Sequence, residues 1–235
     1  MRPPPSSKLP KRDAFSQLAG TTPPTALGRC GAPYGQYLLG DVLAGRVRAK
    51  LQVFLAAWAL SPAKRAALAE QRGPGVTRVW CYAPGYLFPD RADVAGIGEV
   101  TGFEARAASV ATAQVAPTDA GKKLGLAASW GPAVPIVPLF SVTATPEETL
   151  ATYADGTPAV AMRRSEKGID VFVGVPQLTP ELLRALARPA GVSGWISRSG
   201  LASSAGSFTV VTTVPTTRAI CTGVTPRPCE PGRAS

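Results

Sequence analysis

Hydrophobic positions are densest between Lys50 and Tyr86, where their pattern predicts one complete β-α-β crossover. Leu51 to Trp58 (LQVFLAAW) is a near-continuous apolar run of strand length, as a parallel strand buried on both faces requires. Ser61 and Pro62 then form a helix start, a hydroxyl to cap free N–H groups followed by proline at the first helical position. The helix Pro62 to Gln71 is expected to turn Ala66, Ala67 and Leu68 inward and Lys64, Arg65, Glu70 and Gln71 outward, and Gly73-Pro74-Gly75 stops it. Val76 to Tyr86 (VTRVWCYAPGY) supplies the second strand and a Pro-Gly turn. Val53, Leu55 and Val79 are expected to be fully buried. A right-handed crossover brings both strand ends to one edge of the sheet, where open α/β sheets bind ligands. The loops Ala59 to Ser61 and Cys81 to Gly85 lie at that edge.

Either side of this unit the periodicity is less regular. Tyr34 to Val47 (YGQYLLGDVLAGRV) spaces Tyr37, Leu38, Val42 and Leu43 as a helix would, with Gly40 against it. RCGAP before it is a poor strand, so the first strand of the domain is expected to be missing. Asp93 caps a short helix reaching Val100, Glu104 to Val115 alternates weakly as a strand, and Thr118 to Ala133 reads as a polar excursion. Val134 to Val142 (VPIVPLFSV) is a strand that Pro135 and Pro138 confine to an edge. Thr149 to Ala154, Thr157 to Arg163 and Ile169 to Val175, joined by turns at Asp155-Gly156 and Ser165 to Gly168, predict a three-stranded antiparallel meander. Thr179-Pro180-Glu181 opens a last helix with Leu182, Leu183, Leu186 and Ala187 inside. Residues 1–30 read as a disordered tail, 31–192 as the domain, and 193–235 as a weakly ordered tail with one β-like run at Ser207 to Val214.

Composition narrows the class without naming an activity. A chain of 235 residues, 45% hydrophobic, can bury a core of one domain with extensions. The net charge of +10 is half in the tails, and the middle lacks a basic stripe interleaved with aromatics, so no specific nucleic-acid partner is expected. Cys30, Cys81, Cys221 and Cys229 form no CxxC pair and the chain has no histidine, which argues against a zinc site; a Cys221–Cys229 disulfide and a reduced state are both compatible with the spacing. No cofactor is expected: Gly96-Ile97-Gly98 lacks the third glycine and the preceding strand of a dinucleotide fingerprint, and no phosphate-loop motif occurs. The N-terminus lacks the apolar core of a signal peptide, and Val53 to Leu60 is too short to span a bilayer, so a cytoplasmic chain with no membrane partner is expected.

Several blocks together, YLLGDVLAGRV, QVFLAAWALSPAKRAAL, VWCYAPGYL, EVTGFEA, LATYADGTPAVAMRR and VFVGVPQLTPELLRALARPAGV, resemble the glutamine-amidotransferase-like domain of bacterial glycoside-hydrolase chains, which is related to the β-galactosidase trimerisation domain. The resemblance covers roughly Gly31 to Val192. It implies a flavodoxin-like, class I amidotransferase-like, three-layer α/β domain that follows a catalytic barrel and helps assembly or shapes a sugar site, without chemistry of its own. The absent barrel, the missing first strand and the unusual tail are together what a truncated or rearranged reading frame would give.

Cys81 is the one candidate nucleophile, at the strand-to-turn position where catalytic relatives carry theirs. Thiolate formation in such enzymes needs a neighbouring imidazole, which this chain cannot supply, and Trp80 and Tyr82 are bulky where a nucleophile elbow needs small residues. A small apolar role for Cys81 is therefore favoured. Asp90, Asp93, Glu99 and Glu104 could pair for glycoside hydrolysis, but their unframed loop context favours solvated surface charge. Trp58, Tyr82, Tyr86 and Gln177 fall near the carboxyl edge, where aromatics stack on sugars; covering the sheet is the simpler role for them. The resulting expectation is a non-catalytic accessory domain whose partner is a glycoside-hydrolase barrel or a second copy, with a carbohydrate as the candidate ligand. The alternatives are a cysteine-dependent amidotransferase or hydrolase centred on Cys81, and a basic module that binds anionic polymers through its tails.

Overall fold

The computed structural model describes residues 22–192 and 208–212. In chain order these form α1 (Thr22–Arg29), β1 (Tyr34–Leu38), α2 (Leu39–Leu43), β2 (Leu51–Phe54), α3 (Pro62–Glu70), β3 (Thr77–Cys81), α4 (Ala95–Thr101), β4 (Ala105–Ala108), β5 (Ala116–Pro117), α5 (Asp119–Leu124), β6 (Leu139–Val142), β7 (Thr149–Thr152), β8 (Pro158–Ser165), β9 (Gly168–Val173), α6 (Pro180–Ala187) and β10 (Phe208–Thr212). The result is a mixed α/β fold. Among the described residues its main sheet has eight strands in the order β1-β10-β2-β3-β9-β8-β7-β5, and β4 and β6 form a separate antiparallel ribbon. The first five strands of that order run parallel and the last three join antiparallel. Numbered along the chain, the parallel strands lie in the order 1-5-2-3-4, whereas flavodoxin has 2-1-3-4-5.

The crossover between β2 and β3 forms as its apolar pattern predicts, with Leu51 beside Thr77 and Val53 beside Val79. Successive side chains of these strands point to opposite faces, so each face has its own core. Leu51, Val53 and Val79 join Leu27 of α1 and Leu182, Leu183 and Leu186 of α6. Phe54 and Trp80 stack at 4.2 Å on the other face, with Leu39 and Val42 of α2, Leu68 of α3 and Val100 of α4. Ser61 caps α3 by accepting from the Lys64 N–H at 3.4 Å, and Pro62 begins the helix. Two details depart from expectation. β2 ends at Phe54, so Leu55 lies beyond the ladder and is half-buried instead of fully buried. α3 is also rotated: Ala66 is exposed, whereas Arg65 turns inward with only 9% of its side chain exposed, because three carbonyls there accept its guanidinium.

The strand expected to be missing before the first helix is YGQYL, which forms β1; only Leu39–Leu43 of the anticipated long helix is helical. The tyrosines favour the strand, and Gly35 and Gly40 both weaken the competing helix. The β-like run late in the chain forms β10, which slots between β1 and β2, pairing with Tyr34–Leu38 on one side and Leu51–Phe54 on the other. Within the supposed polar excursion, Thr118 caps α5 by accepting from the Gly121 N–H at 3.2 Å. The meander forms as expected, with Gly156 (φ +83°) and Gly168 (φ +107°) at its two turns. β9 also pairs in parallel with β3, which fuses the meander to the parallel sheet. Of residues 1–30, expected to be a disordered tail, Thr22–Arg29 instead form α1, because Ala26 and Leu27 are buried in the core; residues 1–21, the Cys221–Cys229 disulfide and the basic C-terminal tail lie outside the described residues.

A polar row crosses the sheet on the α3 face. Gln52, Arg78, Asp170 and Arg163 are successive register neighbours on β2, β3, β9 and β8. Arg78 donates from Nη1 to the Leu68 carbonyl at 2.7 Å, and Asp170 Oδ1 accepts from Trp80 Nε1 at 2.8 Å, with Arg72 Nη2 at 3.9 Å. Arg163 grips Glu148 through two hydrogen bonds of 2.6 and 3.0 Å and lies over the Phe103 ring.

Candidate functional site

At the carboxyl end of β3 the chain turns sharply. Tyr82, the residue after the strand, has φ +66°, the one positive φ at a non-glycine position among the described residues. Such a conformation is rare for a bulky side chain and persists only where the surroundings enforce it. Two anchors enforce it: the Tyr82 N–H donates to the Val173 carbonyl at 2.7 Å, and the Tyr82 hydroxyl donates to the Pro138 carbonyl. The next N–H, of Ala83, returns to the Cys81 carbonyl at 3.1 Å. A strand ending in one left-handed residue is the shape of a nucleophile elbow. The residue at its apex is Tyr82, and Cys81 is one position back, inside the strand.

Three of the four edge aromatics and amides converge. Trp58 meets Tyr82 edge-on at 6.2 Å, and Phe140 of β6 receives the edges of Tyr82 at 5.5 Å and Tyr86 at 4.8 Å. Gln177 is half-buried in the turn between β9 and α6 and contributes none of the hydrogen bonds that close this cluster. Phe140 was not singled out by its sequence context, although the two prolines just before it mark an irregular segment. That segment lies across the strand ends: the Phe140 carbonyl accepts from the Tyr153 hydroxyl at 3.0 Å, and a Cβ on Gly174 would come within 2.4 Å of the same oxygen. The ligand edge of the sheet is thus covered by the chain itself. Tyr82 is 6% exposed and offers no open face to a sugar ring, while Trp58 and Tyr86 remain half-buried.

The loops under this cluster are tied by Arg65. Its Nε donates to the Leu60 carbonyl at 3.0 Å, Nη1 to the Gly96 carbonyl at 3.0 Å and to Glu99 at 3.1 Å, and Nη2 to the Gly85 carbonyl at 2.6 Å. The guanidinium also lies 4.2 Å over the Phe88 ring, a cation–π contact. Gly85 and Gly96 are packed so closely that a Cβ on Gly96 would stand 2.2 Å from the Gly85 carbonyl oxygen.

Electrostatics set the chemical range of the site. Burial pushes the Cys81 thiol far above its ordinary value, so it is protonated at neutral pH and a poor nucleophile. Burial, together with the neighbouring Tyr86, pushes the Tyr82 hydroxyl up to about 12, so it stays protonated at neutral pH and donates to Pro138. Cys30 is buried too, and burial raises its thiol. The carboxylates do not form a facing pair: Asp90 and Asp93 share Arg91 at 3.5 and 3.4 Å, Glu99 is held by Arg65, and Glu104 is exposed. Among the described residues no group of three metal-ligating side chains occurs, and no helix is long and apolar enough to cross a membrane.

No protein-family model matches the chain, and no curated protein matches it. Among solved structures the chain is similar to the β-galactosidase from Rahnella sp. R3, with 20% identity, a TM-score of 0.47, and 63% of this chain and 24% of that one covered. It is also similar to the β-galactosidase from Bacillus circulans sp. alkalophilus, with 17% identity, a TM-score of 0.44, and 63% and 23% covered. The chain therefore spans about a quarter of the length of the β-galactosidases it is similar to.

Proposed function

We propose that this chain is a non-catalytic α/β accessory domain of the amidotransferase-like, trimerisation type, acting in the assembly of a carbohydrate-active enzyme or in shaping its sugar site. One observation carries the reading. The elbow at the end of β3 keeps the backbone conformation that presents a nucleophile, but Tyr82 occupies the apex and its hydroxyl is consumed by the Pro138 carbonyl. A scaffold that retains the turn while closing the pocket over it is suited to contact and not to turnover. Val137, 90% exposed and next in the chain to the Pro138 whose carbonyl holds Tyr82, is the apolar residue that such a contact would use.

The test combines activity with association. The purified full chain is assayed on nitrophenyl β-galactoside and on glutamine, then sedimented alone and with a purified β-galactosidase catalytic barrel. The expected result is no turnover, together with self-association or a complex that Val137→Asp weakens without lowering the melting temperature. A monomer that binds no barrel at high micromolar concentration overturns the accessory reading. Turnover abolished by Cys81→Ala would overturn it in favour of a cysteine-dependent hydrolase.

A further inference from the structure

The two edges of the main sheet are built differently. At one edge β5 is two residues long and ends in Pro117, which has no N–H to offer. Short strands and proline are common guards against edge-to-edge pairing. At the other edge β1 is five residues long, carries neither proline nor charge, and among the described residues has no strand beyond it. Three of the six exposed large hydrophobic residues in the described part of the chain lie on this strand: Tyr34 at 40%, Tyr37 at 41% and Leu38 at 51%.

The sequence YGQYL is also complementary to itself. In an antiparallel pair, opposed residues share a face of the sheet. A two-fold axis at Gln36 sets Tyr34 against the partner's Leu38 on one face, an aromatic–aliphatic pair of the kind that stabilises sheets. On the other face it sets Tyr37 against the partner's Gly35, which has no side chain to collide with the ring. The Tyr37 ring already lies along its own strand, where a Cβ on Gly35 would stand 2.6 Å from its Cε2. Gln36 meets the partner's Gln36, and their amides both donate and accept. The flanking charges favour the same direction. Exposed Arg29 closes α1 before the strand, and Asp41 lies in the first turn of α2 after it, giving Oδ1 to Arg46 and keeping Oδ2 to accept from another donor. Antiparallel pairing brings Arg29 of each copy to the end where the partner's Asp41 lies, whereas parallel pairing sets like against like.

We infer that the outer edge of β1 is an interface between two copies of this chain, paired antiparallel about Gln36 so that their sheets join. Five residues make a small interface, so a dimer that dissociates in the micromolar range is expected. The inference is independent of the accessory reading, whose contact residue is Val137.

Register-specific crosslinking of the full chain tests it, in a Cys221→Ser/Cys229→Ser background, because Cys30 and Cys81 are buried. Facing residues of an antiparallel pair have Cα atoms about 4.5 to 5.5 Å apart, within disulfide reach. Gln36→Cys should therefore oxidise to a covalent dimer. Tyr34→Cys should not, since its counterpart lies four residues along the strand, about 13 Å away, but it should crosslink when mixed with Leu38→Cys. Leu38→Lys places a charge on the exposed edge and should shift sedimentation to the monomer, whereas Val137→Asp should leave the Gln36→Cys crosslink unchanged. Tyr34→Cys crosslinking with itself as readily as Gln36→Cys would show random collision and overturn the inference. A Gln36→Cys chain that stays monomeric at high micromolar concentration would also overturn it, and would assign the edge to the chain's own tail or to solvent.

Discussion

Asp170 is a buried carboxylate in the middle of the sheet, and Asp170→Asn isolates its charge. The substitution keeps an oxygen for the Trp80 Nε1–H, which now donates to Asp170 at 2.8 Å, and removes only the carboxylate. Arg78, its register neighbour on β3, is 3% exposed. Burial lowers the Arg78 guanidinium to about 10; the Asp170 charge opposes that shift and the Arg72 charge adds to it. Arg78 therefore remains cationic at neutral pH, and without Asp170 it faces Arg72 with no buried anion beside it. Asp170 lies within 4 Å of Arg72 and not of Arg78, so the expected loss is about 3 kcal/mol, the low end for removing one partner of a buried pair and still a large part of the roughly 5 to 15 kcal/mol that a domain has in total. Arg78→Met removes the stranded cation, although it also leaves the Leu68 carbonyl without its 2.7 Å donor. The double variant Asp170→Asn/Arg78→Met should therefore be more stable than the sum of the two single losses by about 2 kcal/mol. Urea unfolding followed by tryptophan fluorescence measures all four corners of this cycle, because Trp80 is buried beside the pair. Additivity within about 0.5 kcal/mol, or an Asp170→Asn variant as stable as wild type, would refute the reasoning.

Three further outcomes can be checked on the same instrument. Tyr82→Phe leaves the ring packing intact and removes the donor to Pro138, with an expected loss of about 1 to 2 kcal/mol; no loss would mean that the hydroxyl does not hold the turn. Gly96→Ala places a methyl 2.2 Å from the Gly85 carbonyl oxygen, which is backbone and cannot swing away, so a loss of about 2 to 4 kcal/mol is expected by overpacking, with wild-type stability as the contrary result. The hydrogen bonds from Arg163 hold the Glu148 carboxyl below its ordinary value, so its contribution is fully present above the unfolded value of about 4.3 and is lost as pH falls through the lower folded value. Glu148→Gln should flatten the stability profile between pH 3 and about 5, by an amount kept small because the pair is partly exposed; an unchanged slope there would assign the acid sensitivity to other carboxylates.

Sequence patterns revealed the fold where local and global preferences agree. The apolar run at Leu51, the Ser61-Pro62 and Thr179-Pro180 caps and the Asp155-Gly156 turn each have one sensible conformation, and each forms it. YGQYL misleads because two tyrosines three apart suit a helix face as well as a strand, and only pairing with β10, far along the chain, decides between them. Arg65 misleads for the complementary reason: a charged residue on a short helix reads as solvated until three loop carbonyls converge on it. At the candidate site the aromatics were legible as residue types. The shift of the elbow from Cys81 to Tyr82 was not, since a left-handed tyrosine is specified by the carbonyls of Val173 and Pro138 and by nothing adjacent to it.

The position of β10 has a consequence for how the molecule is made. Its five residues enter the middle of the parallel array, so β1 and β2 cannot be joined until the ribosome has synthesised the chain past Thr212. Everything from β2 to α6 can collapse earlier, but β1 must wait, holding an unpaired backbone edge for most of translation. Contacts separated by some 170 residues close slowly, and an unpaired strand edge attracts other chains in the interval. A premature stop just before Phe208 would make that interval permanent, leaving a slot one strand wide that a β-segment from another molecule could enter.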